Sequence, residues 1–283
     1  MIENSFLKKM ADYSYERVLK AKKLEPEAQL IEIVKKTMSP PPIVLDNQFN
    51  IIAEIKKRSP AKGNLQNSNF SLEQQLKSYA LANPMAISIL TEPEEFKGSL
   101  TDLSFAAGIM NKYKIPVMRK DFLVDPYQLL EAKKMGASGV LLITSILSYE
   151  QIDSLLSCAS ENHLFVLLEA FDHKDLEIIN KINLEKYINS ACQILCGINC
   201  RNLKTLEISF DRFKHLSKLL PKNIISVAES GIENTEHIRS IINLGFSAAL
   251  IGSKLMESSN PEKLLNELIT EGRSKIQEIQ NCL

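Results

Sequence analysis

Tryptophan is absent from the 283 residues, and Lys+Arg and Asp+Glu are equal at 34 each. Equal counts leave no net charge. No global field draws the chain to nucleic acid or to an anionic membrane, so an anion must be held by local groups. No apolar run reaches the length of a membrane span, and the opening MIENSFLKKM lacks the basic and apolar regions of a secretory signal. The expectation is a cytoplasmic protein that engages neither nucleic acid nor membrane. The four histidines (163, 173, 215 and 237) form no ligand-spaced pair. The five cysteines are an odd number in a chain without an export signal, which fits reduced thiols. Cys192, Cys196 and Cys200 are evenly spaced and invite a metal. Structural zinc more often uses a two-residue gap and needs a fourth ligand, which no nearby histidine supplies. CQILCGINC also reads as an apolar strand in which cysteine acts as a small hydrophobe. No metal is expected.

Short apolar runs recur eight times: NIIAEI (50–55), MAISIL (85–90), IPVMRK (115–120), GVLLIT (139–144), LFVLLE (164–169), QILCGIN (193–199), IISVAE (224–229) and AALIG (248–252). They are continuously apolar rather than alternating, as strands covered on both faces should be. Between them lie segments of helical spacing. SLEQQLKSYALAN (71–83) has Leu72, Leu76, Tyr79 and Ala80 on one side; DPYQLLEAKKMGA (125–137) opens on Asp-Pro and stops at a glycine. Ser148 followed by Gln151 forms a capping-box pattern at the head of 148–162, and TEHIRSIINLGF (235–246) again stops at glycine. Eight β-then-α units imply a (β/α)8 TIM barrel in the α/β class. An open doubly wound sheet is the alternative, but it would usually show fewer units and a glycine-rich first turn, and no G-x-G-x-x-G is present. Residues 1–45 hold two amphipathic stretches ended by SPPP (39–42). They are expected to be extra helices of the same single domain 1–283, packed over the barrel's N-terminal mouth or near its active-site rim, because 45 residues bury little core alone.

A barrel places its functional groups at the C-terminal ends of its strands. The expected strands end at Glu54-Ile-Lys56, Thr91-Glu92, Arg119-Lys120-Asp121, Thr144-Ser145, Glu169, Asn199-Cys-Arg201, Glu229-Ser230-Gly231 and Gly252-Ser253. Their other ends are led in by Asn50, Pro84, Ile115, Ser138, His163, Gln193, Asn223 and Ser247, with few charges. Charge gathered on one rim favours a lined site over solvated strand ends. In IIAEIKKRSP (51–60) strand alternation puts Glu54, Lys56 and Arg58 on one face and Ala53, Ile55 and Lys57 on the other. Glu54, Lys56, Lys120, Glu169, Asn199 and Arg201 would crowd one half of the mouth. There, carboxylates and ammoniums shift each other's pKa, and a cationic pocket is expected to lower that of a lysine. The other half offers hydroxyls and backbone N–H groups at Ser230, Gly231, Gly252 and Ser253, with Ser59 beyond strand 1, where barrels commonly hold phosphate. An anionic substrate carrying a carboxylate and a phosphate would fit. A structural ion-pair network remains the alternative.

The motifs AEIKKRSP, SILTEPEEFKGS, VMRKDFLVDPYQ, GINCRNL, VAESGI and ALIGSKLM, in this order, resemble those of the indole-3-glycerol phosphate synthase family across nearly the whole chain. ESGI and IGS occur in several phosphate-binding barrels; EIKKRSP with RKDF is far more specific. The resemblance implies conversion of 1-(2-carboxyphenylamino)-1-deoxyribulose 5-phosphate to indole-3-glycerol phosphate, CO2 and water in tryptophan biosynthesis, without cofactor or metal. It implies Lys120 as general acid on the ribulose carbonyl oxygen, and Lys56 pairing with the anthranilate carboxylate and helping in the dehydration. Glu169 and Glu54 would handle proton transfers and stabilise the iminium-like charge, and Asn199 and Arg201 would orient the substrate. Phe122 would pack on the aromatic ring, Glu229 and Ser230 belong to the matching strand-7 motif, and Ser59, Gly231, Gly252 and Ser253 would hold phosphate. The chain departs from the family at Ala61 (often Ser) and Cys200 (often Ser or Asn), and in a lengthened Glu169-to-Asn199 connection expected to cover the rim or an interface. A phosphoribosylanthranilate isomerase is disfavoured because such isomerases lack the two-lysine pattern and the N-terminal extension. A non-catalytic sugar-phosphate-binding barrel is disfavoured because Lys120, Glu169 and Glu54 are all kept. A monomer or weak homo-oligomer is expected.

Overall fold

The computed structural model describes residues 6–66, 70–188, 192–202, 207–222 and 224–282. Eight parallel strands, β1 (Asn50–Ile55), β2 (Ala86–Leu90), β3 (Val117–Lys120), β4 (Gly139–Ile143), β5 (Phe165–Ala170), β6 (Ile194–Asn199), β7 (Ile225–Glu229) and β8 (Ala248–Ile251), pair in chain order. β8 closes on β1 in the register Asn50 to Ala248, so the sheet is a barrel. Each expected strand lies within one or two residues of its observed place. Asn223, read as a strand lead-in, lies outside the described residues, as do residues 1–5 of the N-terminal extension.

Alternation along each strand makes two cores. Ile52, Met118, Leu141, Leu167, Leu195, Val227 and Leu250 fill the barrel interior. Ile51, Ala53, Ile87, Val140, Val166, Ile198 and Ala249 face the helices instead. Burial on both faces is why these runs are apolar throughout. The helices start where their caps permit. Ser71 accepts from the Gln74 N–H at the head of α3 (Leu72–Leu81), and Asn234 accepts from the His237 N–H at the head of α9 (Thr235–Asn243). Asp125 with Gln128, and Ser148 with Gln151, form full capping boxes on α5 (Pro126–Lys134) and α6 (Tyr149–Glu161).

Two helices precede the barrel, α1 (Phe6–Leu24) and α2 (Glu27–Lys36). Arg17 of α1 grips Asp121, just past β3, through two hydrogen bonds of 2.9 and 2.7 Å, and the Gln128 amide donates to Ser14 at 2.8 Å. Val18, Leu30 and Val34 pack with Tyr127 and Leu130 of α5. Of the two positions left open by the sequence, the extension takes the active-site rim, because Phe6 and Leu7 line the C-terminal mouth. The long connection after β5 does not take the rim, one of the two places expected of it. Its α7 (His173–Lys181) leads to Tyr187, whose carbonyl accepts from Ser160 at 2.8 Å. Ser160 lies in the last turn of α6, which runs down to the start of β5, so the described part of the insertion packs at the far end of the barrel from the rim.

Candidate active site

The C-terminal mouth holds a cavity of about 140 Å³ lined by residues from all eight strand ends and from α1. Every site residue expected from the sequence except Glu229 lines it, and Glu229 lies against it through Lys120. Glu54 is 2% exposed, Glu169 2% and Glu229 0%, so the strand-end carboxylates are not solvated tips. Lys120 Nζ stands 2.9 Å from Glu229 Oε2 and 3.4 Å from Glu54 Oε2, while Lys56 Nζ stands 2.6 Å from Glu54 Oε1. Asn199 Nδ2 donates to Glu169 Oε1 at 2.6 Å, and Asn199 Oδ1 accepts from the Arg201 N–H.

The electrostatics differ from the sequence expectation in sign. Burial acts to lower the pKa of Lys120, but Glu229, Glu54 and Glu169 outweigh it and raise it above the usual lysine value. The expected depression assumed a cationic pocket, whereas this lysine is ringed by carboxylates. Burial likewise opposes the charged form of Glu54, yet Lys56 and Lys120 hold its pKa below the ordinary value. Glu169 behaves the other way. Burial, then the neighbouring Glu229, push it up to about 8 against the pull of Lys120 and the Asn199 hydrogen bond. The mouth thus holds a firmly charged ammonium beside a carboxyl poised near neutrality.

Two glycines make this packing possible. A Cβ on Gly197 would fall 2.1 Å from Glu229 Oε1, and one on Gly252 would fall 2.2 Å from Glu54 Oε1 and 2.9 Å from Lys56 Nζ. Gly252 therefore seats the ion pair of β1, beyond the phosphate role expected of it. Ser230 holds φ 72°, uncommon for a side-chain-bearing residue, and the Cys200 thiol donates to its carbonyl at 3.2 Å. Ser59 accepts from the Lys62 N–H at 3.2 Å, which folds the loop after β1 beside Ser253.

Some rim charge is structural. Arg119 bonds Thr91 Oγ1, the Gln128 carbonyl and Asp121, away from the cavity, and Glu92 accepts three backbone N–H groups of residues 94–96. Ser145 bonds Asp175. The strand ends of β2 and β4 thus hold loops in place. Sequence reasoning missed Phe6, Leu7, Phe96, Lys62 and Lys254, all of which line the mouth. Phe6 and Phe96 stand 6.0 and 6.1 Å from the Phe122 ring, making an aromatic wall opposite the charges. Lys62, three residues past Ser59 in the loop expected to face a phosphate, was the one with a readable signal.

The family model described as Indole-3-glycerol phosphate synthase matches residues 7–268. The chain belongs to the indole-3-glycerol phosphate synthase family. Relatives bearing that name agree with it. The protein of Endomicrobium trichonymphae is 38% identical over 220 residues, covering 78% of this chain and 80% of the relative. That of Acinetobacter baumannii is 31% identical over 270 residues, covering 94% and 96%. Among solved structures, 3-hexulose-6-phosphate synthase from Salmonella typhimurium aligns with a TM-score of 0.59 at 11% identity, over 80% of this chain and 99% of the other. Thiamine phosphate pyrophosphorylase from Pyrococcus furiosus aligns at 0.54 with 14% identity, over 82% and 98%. These two likenesses concern the barrel fold alone. Family membership makes the chain an indole-3-glycerol phosphate synthase, a decarboxylating lyase of tryptophan biosynthesis whose substrate is a small phosphorylated molecule. It does not support the isomerase or the non-catalytic barrel. No described helix is long and apolar enough to cross a membrane.

Proposed function

We propose that Lys120 is the general acid of ring closure, and that the observation carrying this role is its place between Glu54 and Glu229 at the cavity floor. The aromatic carbon bearing the carboxylate attacks the ribulose carbonyl carbon, and the carbonyl oxygen takes the Lys120 proton. A raised lysine pKa is compatible with this step, because a developing alkoxide is far more basic than an amine. Loss of CO2 returns the ring electrons. Lys56 pairs with the anthranilate carboxylate until that loss, then helps expel the new hydroxyl as water. Glu169 removes the ring proton that completes the indole. Its pKa near neutrality suits a group that must both hold and release a proton. Glu54 stabilises the iminium-like nitrogen, since charge fixed in advance where charge develops is usually the largest catalytic contribution.

Asn199 orients Glu169 and, with Arg201, the substrate; Phe122, backed by Phe6 and Phe96, receives the aromatic ring. Glu229 fixes the Lys120 ammonium, and Ser59, Ser230, Gly231, Gly252 and Ser253 hold the phosphate. None of these steps draws on a cofactor or a metal. The enzyme works in the cytoplasm as a monomer or weak homo-oligomer, as one complete mouth per chain would allow. The whole scheme is tested by adding the carboxyphenylamino-deoxyribulose phosphate and following indole fluorescence. The chain has no tryptophan, so its own emission is weak when indole is excited beyond the tyrosine band. No signal at high enzyme concentration would remove the catalytic scheme.

A further inference from the structure

The groups that would hold the phosphate do not match its charge. Ser59, Ser230, Gly231, Gly252 and Ser253 offer hydroxyls and backbone N–H groups, all of them neutral. Carboxylates stand close by. Glu54 lies directly against Gly252, and the exposed Glu233 lines the same half two residues past Gly231. A dianion entering this half needs opposite charge to offset its desolvation. Four lysines line the mouth, and two are engaged on the other half, Lys56 by Glu54 at 2.6 Å and Lys120 by Glu229 at 2.9 Å. Lys62 and Lys254 are the other two.

Both belong to the phosphate half. The Lys62 N–H donates to Ser59 Oγ at 3.2 Å, so these two residues share one turn of the loop after β1. Lys254 directly follows Ser253 in α10 (Ser253–Glu257). Lys62 Nζ meets Glu257 Oε1 at 2.7 Å, and Glu257 lies three residues beyond Lys254, on the same face of α10. Glu257 thus holds the Lys62 ammonium one helical turn from Lys254. Lys254 itself forms no ion pair among the described residues, so one carboxylate serves two lysines. The side chains of Lys62 and Glu257 are 36% and 40% exposed, and an ion pair so open to water is weak enough to exchange partners. Resting on the reading that this half holds the substrate's phosphate, we propose that Lys62 and Lys254 are its counter-ions, with Lys62 leaving Glu257 for the phosphate when substrate enters. A lysine serves phosphate as a point charge on a flexible stem, while the hydroxyls and N–H groups supply direction.

The test is isothermal titration calorimetry of the full chain with two probes, indole-3-glycerol phosphate and the same molecule without its phosphate. The ratio of their dissociation constants isolates the phosphate and does not depend on which residue is the general acid. Lys62→Gln and Lys254→Gln should each weaken the phosphorylated probe about tenfold, the size of one charge contact near water, and leave the other probe unchanged. In turnover, KM should rise by a similar factor while kcat holds. Glu257→Gln removes the competing carboxylate and should tighten the phosphorylated probe about twofold or more. A wild-type preference for the phosphorylated probe that persists in both lysine variants overturns the proposal and leaves the phosphate site standing. Equal weakening of both probes also overturns it, because the mouth has then lost its shape. Weaker binding in Glu257→Gln does the same, since the ion pair is then a structural clasp. A loss confined to one lysine overturns the shared role. No preference in wild type removes the phosphate site itself, and the counter-ions with it.

Discussion

Lys120 and Glu169 lie in the same mouth, and their pKa values are displaced in the same direction for opposite reasons. The ammonium is stabilised by carboxylates, whereas the carboxyl is starved of solvent and faces another acid. Lys120→Ala should lower turnover by about 10³-fold or more while leaving the far-UV circular dichroism unchanged, because it deletes both the acid and the fixed charge of the site. Near-normal indole formation in that variant would end its assignment. Glu169 makes a pH prediction whose sign follows from linkage. The folded chain keeps this proton up to about 8, whereas the unfolded chain releases it in the ordinary carboxylate range. The contribution to stability is therefore complete below the unfolded pKa and is lost as pH rises through about 8. Denaturation midpoints taken from pH 5 to 9 should fall along this limb, and Glu169→Gln should flatten it. The ionised form is the base, so kcat/KM should climb through the same region. Asn199→Ala removes a donor that favours the anion and should displace the climb to higher pH, which loss of packing alone would not do. Gly197→Ala tests the seat of Glu229. A methyl 2.1 Å from its Oε1 must push the carboxylate off Lys120, and kcat should drop about tenfold or more while KM changes little.

The strands were readable because each is covered on both sides, and a short, wholly apolar run between polar segments fits a buried strand better than a surface element. Helix starts were readable where a side chain caps them, as at Ser148 and Asp125. Pairings between distant elements were not readable. Arg17 and Asp121 are 104 residues apart, and nothing local in ERVLK says that its arginine will reach the end of β3. The same blindness made Arg119 and Thr91 resemble site residues, since a strand end that points outward has the same composition as one that points in. Alternation separates the two once the inward position of Lys120 is fixed, because Arg119 and Asp121 then face away from it. Burial disfavours the charged form of Asp121, but Arg119 and Arg17 outweigh it and hold its pKa far below the usual carboxylate range. Its contribution is present above the unfolded pKa and lost only in strong acid. Arg17→Met should therefore destabilise the fold at neutral pH by about 2–4 kcal/mol, less than a fully stranded buried charge because Arg119 remains. Urea denaturation would measure it. An unchanged midpoint would mean that apolar packing alone seats α1.

At the scale of the whole molecule, neutrality and a charged mouth are two sides of one arrangement. The charge is spent in pairs, so the field is confined to the barrel's C-terminal end, where the substrate carries its anions. The extension takes part in that end, since α1 supplies Phe6 and Leu7 to the cavity and its Arg17 reaches the residue next to Lys120. A lid that shares a buried charge network with the catalytic strand should not loosen independently of the barrel. The absence of tryptophan makes this measurable. Leu19 on α1 is 63% exposed, so Leu19→Trp places a single indole on the extension without disturbing a core. Its fluorescence reports α1, and far-UV circular dichroism is dominated by the barrel. One cooperative unit requires the two urea curves to share a midpoint. In an Arg17→Met background the fluorescence curve should move to lower urea ahead of the dichroism, because the latch is cut while the barrel is intact. Separate midpoints in the Leu19→Trp parent, with the Arg17 latch intact, would instead make the extension an independent element resting on the rim.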